Sequence, residues 1–146
     1  MKKLLFILLT AFTLQAAQAD NDKAITFNQL PNKAQTFIKK HFANHKVAFV
    51  KMDKKILNSD YDVILANGNK LEFDKNGEWT DLDCRRGGVP AKAVPSAIKK
   101  FVKTKHPNAT IVSLERDHDS YEVKLSNAWE IKFDKQFNVT DMSMDD

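Results

Sequence analysis

Tyr61-Asp62-Val63-Ile64-Leu65-Ala66-Asn67-Gly68-Asn69-Lys70-Leu71-Glu72-Phe73-Asp74-Lys75 decides how the 146-residue chain is to be read. Tyr61, Val63 and Leu65 alternate with Asp62, Ile64 and Ala66, which is the period of a half-buried strand. Asn67-Gly68 is a hairpin signal, because a tight primed turn requires positive φ. Leu71 and Phe73 then run back as a second strand. The same statement is made again by Tyr121-Glu122-Val123-Lys124-Leu125-Ser126-Asn127-Ala128-Trp129-Glu130-Ile131-Lys132-Phe133-Asp134-Lys135.

The correspondence extends in both directions. Upstream, Leu30-Pro31, Phe37-Ile38 and Val50 answer to Val94-Pro95, Phe101-Val102 and Leu114; downstream, Thr80-Asp81-Leu82 answers to Thr140-Asp141-Met142. A repeat of this kind constrains the architecture ahead of any local assignment. Leu30, Ala34, Phe37, Ile38 and Phe42 fall at helical spacing, with Lys33, Gln35, Lys39 and Lys40 opposite them. Ile98, Phe101 and Val102 repeat the stripe, opened by Pro95 and closed by Pro107. First strands are expected over 47–52 and 111–116 and a fourth strand of the first copy over 79–84, whereas 20–24 reads as a polar, frayed lead-in. The expectation is an α+β protein of two tandem repeats, each a helix packed on an antiparallel β-meander, the two joined to each other. Its parts are a signal peptide over 1–19, a first repeat over 20–84, a linker over 85–93 that holds Gly87-Gly88, and a second repeat over 94–146.

Met1-Lys2-Lys3, the apolar run Leu4 to Leu9 and the small-x-small ending Ala17-Gln18-Ala19 form a secretory signal. The apolar run is too short to span a bilayer comfortably, so no stable membrane insertion is expected after cleavage. Cleavage after Ala19 leaves 127 residues (146 − 19) and, by removing Lys2 and Lys3, lowers the formal charge from +4 to +2. That near-neutral balance gives no support to a nucleic-acid role. The protein is expected in the periplasm or outside the cell. Cys84, the single cysteine, aligns with Met144 and shares the parity of Leu82, which reads as a small buried apolar residue.

The residues that could carry chemistry each have a plainer explanation. His41 and His45 have a spacing that can place two imidazoles on one helix face, but no Glu follows and the second copy has Lys105 and Ala109 there. Asp74-Lys75-Asn76-Gly77-Glu78 opens like a calcium loop yet lacks its spaced acids and terminal Glu, so it reads as a hairpin turn. Asp81, Asp83 and Asp141 alternate with apolar residues, as solvent-facing strand positions do. No nucleophile–base pair, metal set or phosphate loop is present, so neither catalytic residues nor a cofactor is expected.

The paired Leu-Pro and Val-Pro helix openings, the Tyr-Asp-Val and Tyr-Glu-Val strands, Asn67-Gly68, and Phe73-Asp74 with Phe133-Asp134 make the chain resemble the PepSY-like group of secreted bacterial proteins described as β-lactamase-inhibitor-like. The resemblance spans the mature chain and rests on turns and core residues. It implies a non-enzymatic periplasmic or secreted protein whose two helix-plus-meander repeats together form a curved sheet. The inhibitor label implies a protein partner, a protease or a β-lactamase being the classes to consider, but no residue motif here carries inhibition over.

The copies differ on the face that alternation turns away from the helices. Phe49, Ile64 and Trp79 are placed there, where the second copy has Ser113, Lys124 and Val139. An apolar patch of this kind suits a protein-binding surface, so these three are the candidate partner-binding residues. The alternative is a cell-envelope structural or sensing protein that binds a small ligand or metal in the concavity.

Overall fold

The computed structural model describes residues 22–54 and 59–145, so the expected signal peptide over 1–19 lies outside the described residues. Among these residues nine strands follow one another: β1 (Asp22–Ala24), β2 (Val47–Lys54), β3 (Ser59–Leu65), β4 (Lys70–Phe73), β5 (Trp79–Asp83), β6 (Ile111–Arg116), β7 (Ser120–Leu125), β8 (Trp129–Asp134) and β9 (Val139–Met144). Each pairs antiparallel with its neighbours in sequence order, giving one nine-stranded sheet. Two ten-residue helices, α1 (Asn32–His41) and α2 (Ser96–Lys105), lie on one face.

The expected pair of tandem helix-on-meander repeats forming a curved sheet is therefore replaced by a single antiparallel sheet with two short helices. The reason lies at the β5–β6 junction. Leu82 pairs with Leu114 and Asp83 with Ser113, and the Cys84 N–H donates to the Val112 carbonyl at 2.8 Å. The linker, followed by α2, thus connects two strands that are hydrogen-bonded to each other. The ninth strand is β1, in the segment expected to fray; its residues pair with Asp53, Met52 and Lys51 of β2.

A single apolar row crosses the sheet under both helices. Val50, Val63, Leu71, Leu82, Leu114, Val123 and Ile131 are successive cross-strand partners, and all are buried in one contiguous core. Each helix presses an aromatic ring onto this layer. Phe37 of α1 meets Phe73 edge-on at 5.8 Å, and Phe101 of α2 meets Phe133 at 5.5 Å and 89°. Lys39, Lys40 and His41 end α1, and Lys103 and Lys105 end α2, where cations complement the carbonyl end of a helix.

The turns of the two copies share a left-handed backbone position and differ in the residue that occupies it. After β3 only Gly68 takes positive φ (93°), so Asn67-Gly68 is not the primed turn expected; the Gly68 N–H closes onto the Leu65 carbonyl. Ala128 holds the matching position at φ 73°. After β4, Gly77 at φ 86° is matched by Phe137 at φ 65°.

Candidate functional site

The face of the sheet away from the helices carries a second row, one residue out of phase with the apolar one. Lys51, Asp62, Glu72, Asp81, Glu115, Glu122 and Lys132 are successive cross-strand partners from β2 to β8. Five carboxylates therefore stand on five adjacent strands with a lysine at each end. Asp53 faces Asp60 on the same side of the sheet.

The lysines reach only part of the row. Lys70 lies 3.0 Å from Glu72 and 3.7 Å from Asp62, and Lys51 lies 3.7 Å from Asp62. Asp81 Oδ1 is buried without a hydrogen-bond partner. Burial, then the charges of Glu115, Glu72 and Asp83, push the Asp81 carboxyl up from 3.8 to about 7. Asp62 and Glu115 are raised too, each chiefly by burial, with neighbouring carboxylates adding to it. Like charges on adjacent strands and loss of water both penalise the ionised form. Two depressions flank the row and share Glu72 and Thr80. One of about 360 Å³ is lined by Asp53, Asp60 and Asp62; the other, of about 280 Å³, by Asp81, Glu115 and Asp117. A larger depression of about 460 Å³ lies near Trp129, but there Lys124 and Glu130 pair with each other at 3.5 Å.

The structure brings two of the three expected partner-binding residues together. Phe49 pairs with Ile64, and Phe49 is 46% exposed at the β2–β3 end of the open face. Trp79 is not with them: it pairs with Phe73, is 8% exposed and belongs to the core. The cause is a β-bulge. Glu72 faces Asp81 and Phe73 faces Trp79, so Thr80 is an extra residue that reverses the alternation behind it. Trp79 is instead held between the ring of Phe37 at 6.4 Å and the guanidinium of Arg116 at 4.1 Å. Arg116 also donates to the Trp79 carbonyl through Nε (3.1 Å) and Nη2 (2.8 Å), and its Nη2 reaches Glu78 Oε2 at 3.2 Å. Trp79 thus sits where β6 is clamped onto β5.

The plainer explanations of other candidates follow from their contacts. Asp74 Oδ1 accepts from the N–H groups of Asn76 (2.9 Å) and Glu78 (3.0 Å), so this carboxylate serves its turn, and Asp134 does the same with Gln136 and Asn138. His41 packs on Phe37 at 4.6 Å and His45 on Phe42 at 5.6 Å. Cys84 is fully buried, and burial pushes its thiol up to about 12. Among the described residues no three His, Cys, Asp or Glu side chains converge as a ready metal cage.

The carboxylate row escaped sequence reading because its members come from five strands spread along the chain. Asp81 was visible as a solvent-facing position; its neighbours Glu72 and Glu115 follow only once β5 is known to pair with β6. Net charge hid the row as well, since lysines on the helices offset it.

Solved structures resemble the chain over nearly their whole length. A protein from Bacteroides vulgatus, described as a putative periplasmic protein, is 57% identical with a TM-score of 0.83, the match covering 86% of this chain and 98% of that one. A protein from Bacteroides thetaiotaomicron, described as a putative calcium-regulated periplasmic protein, is 50% identical with the same TM-score and coverage. A third, from Bacteroides vulgatus and described as a putative periplasmic protein of unknown function, is 37% identical with a TM-score of 0.78, covering 84% of this chain and 98% of its own. No curated protein is matched. Among the described residues no helix is long and apolar enough to cross a membrane. Like these relatives, the chain is a protein of the periplasm or the exterior. The family model described as "Putative beta-lactamase-inhibitor-like, PepSY-like" matches residues 17–58 and 59–141, and the chain belongs to that family.

Proposed function

We propose that the protein is a non-enzymatic binding protein that takes the basic surface of a protein partner on its open sheet face. The observation that carries this reading is the carboxylate row, with Asp81 Oδ1 buried and unpartnered at its middle. A lysine or arginine brought over Asp81 supplies the missing donor and relieves the repulsion from Glu72 and Glu115. Phe49 and Ile64 offer an apolar contact beside the row, which suits an interface that joins an apolar anchor to charge complementarity. The inhibitor-like family description supports a protein partner. Nothing in the row resembles a nucleophile with its base, which supports a role without catalysis.

The test is capture from a periplasmic extract on immobilised wild-type protein, an Asp81→Asn/Glu115→Gln variant and a Phe49→Ala variant. A stoichiometric partner retained by wild type, released by moderate salt and lost on the charge-neutral variant supports the reading. Retention that ignores the substitutions overturns it.

A second reading is favoured by the same orphaned oxygen: the row binds a divalent cation. Its donors are all carboxylate oxygens, which suit calcium, and one relative at 50% identity is described as calcium-regulated. Glu72, Asp81 and Glu115 would hold the ion after turning toward one another. Calorimetric titration with calcium alone tests it: saturable binding by wild type and none by Asp81→Asn supports the cation site. Absence of heat with wild type removes it and leaves the protein-partner reading standing.

A further inference from the structure

The outer edge of β9 differs from its counterpart in the first repeat in one respect. Thr80-Asp81-Leu82-Asp83-Cys84 corresponds to Thr140-Asp141-Met142-Ser143-Met144. Leu82 and Cys84 have no exposed surface, because β6 closes the edge of β5. Met142 and Met144 lie on the same helix-side face, opposite Ile131 and Trp129, yet they are 41% and 57% exposed. Val139, opposite Phe133, is exposed as well. The second repeat thus keeps apolar side chains where the first has a neighbouring strand to bury them. Among the described residues the other edge of the sheet is β1, three residues that include the charged Asp22 and Lys23. Short, charged edges resist pairing, whereas a six-residue edge that leaves three apolar side chains exposed invites it.

We propose that β9 pairs antiparallel with β9 of a second copy, about a twofold axis through Met142. The choice of a second copy follows from self-complementarity. The Asp145 N–H donates to the Ala128 carbonyl, so the ladder directs the N–H groups of Asp141 and Ser143 toward β8 and those of Met142 and Met144 outward. With Met142 on the axis, the two Met142 residues exchange backbone hydrogen bonds, Asp141 stands across from Ser143, and Met144 from Thr140. The alternative register with Asp141 on the axis sets two carboxylates against each other and is disfavoured. The internal β5–β6 junction is the pattern for such a joint, an apolar side chain facing an apolar side chain beneath paired backbones. A twofold contact of this kind closes on itself and gives a dimer, not a filament.

Sedimentation equilibrium of the exported chain, from low-micromolar to sub-millimolar concentration, tests the pairing. Wild type is expected to approach twice its monomer mass, and Met142→Lys to weaken dimerisation at least ~10-fold, as loss of a central interface contact does. A wild type that stays monomeric across the range overturns the proposal. So does a folded Met142→Lys that dimerises as well as wild type, or a mass that grows past the dimer with concentration. Should Met142→Lys fail to fold, Met144→Lys, at a more exposed position, is read by the same criteria.

Discussion

Trp79 shows what a single inserted residue does to a pattern of alternation. Counted back from Leu82 it belongs on the open face; the bulge at Thr80 returns it to the core beneath Phe37 and Arg116. Trp79→Ala is accordingly expected to cost ~3–5 kcal/mol, as removal of a core aromatic does, and to lower the melting temperature steeply. Phe49→Ala, at a half-exposed site, should leave stability nearly unchanged. Asp81 makes the opposite kind of prediction. Its carboxyl is raised in the folded protein, so the native state holds a proton that the unfolded chain releases at lower pH. The stabilising contribution is therefore present below pH 3.8 and is lost as pH rises toward about 7. Asp81→Asn should melt higher than wild type near neutral pH and show a flatter dependence of melting temperature on pH between these limits. An Asp81→Asn protein that melts lower at neutral pH would mean that the carboxylate has a stabilising partner there.

The same turn, used twice, is built on different backbone chemistry in the two copies. A Cβ on Gly77 would lie 2.9 Å from Pro31 Cβ and 3.0 Å from the Ala34 backbone nitrogen, so the start of α1 rests directly on this glycine. Gly77→Ala combines a left-handed backbone with a collision against backbone, and about 2–4 kcal/mol of destabilisation is expected in chemical denaturation. At the matching position Phe137 accepts φ 65° and stacks on Tyr121 at 5.2 Å. Ala128, left-handed at φ 73°, has no such compensation, and Ala128→Gly should stabilise the protein by ~0.5–1 kcal/mol in the same assay. The elements themselves were legible. The helices begin at Asn32 and Ser96, just behind the two prolines, and the strands of the hairpins follow the alternation of Tyr61, Val63 and Leu65. Bulges were not legible, because an extra residue leaves no compositional mark, and neither was β1, whose Asp22-Lys23-Ala24 has the composition of a loop and is held as strand by β2 alone.

The two faces of the sheet have opposite characters because one register serves both. The pairing that aligns Leu71, Leu82 and Leu114 under the helices necessarily aligns Glu72, Asp81 and Glu115 on the other side. Joining β5 to β6 completes the core and crowds the carboxylates in the same step. Since one core runs under the whole sheet, heat should unfold the chain in a single transition, the same by circular dichroism and by the fluorescence of Trp79 and Trp129. Two separated transitions would show that the two ends of the sheet unfold independently. The crowding can be read carboxylate by carboxylate with a carbon-13 NMR pH titration of the Asp and Glu side chains. Asp81 should titrate near pH 7, while Asp134, which accepts from the N–H groups of Asn138 and Gln136 in its exposed turn, should titrate below 3.8. An Asp81 that titrates near 3.8 would contradict a strained, partnerless carboxylate at the middle of the open face.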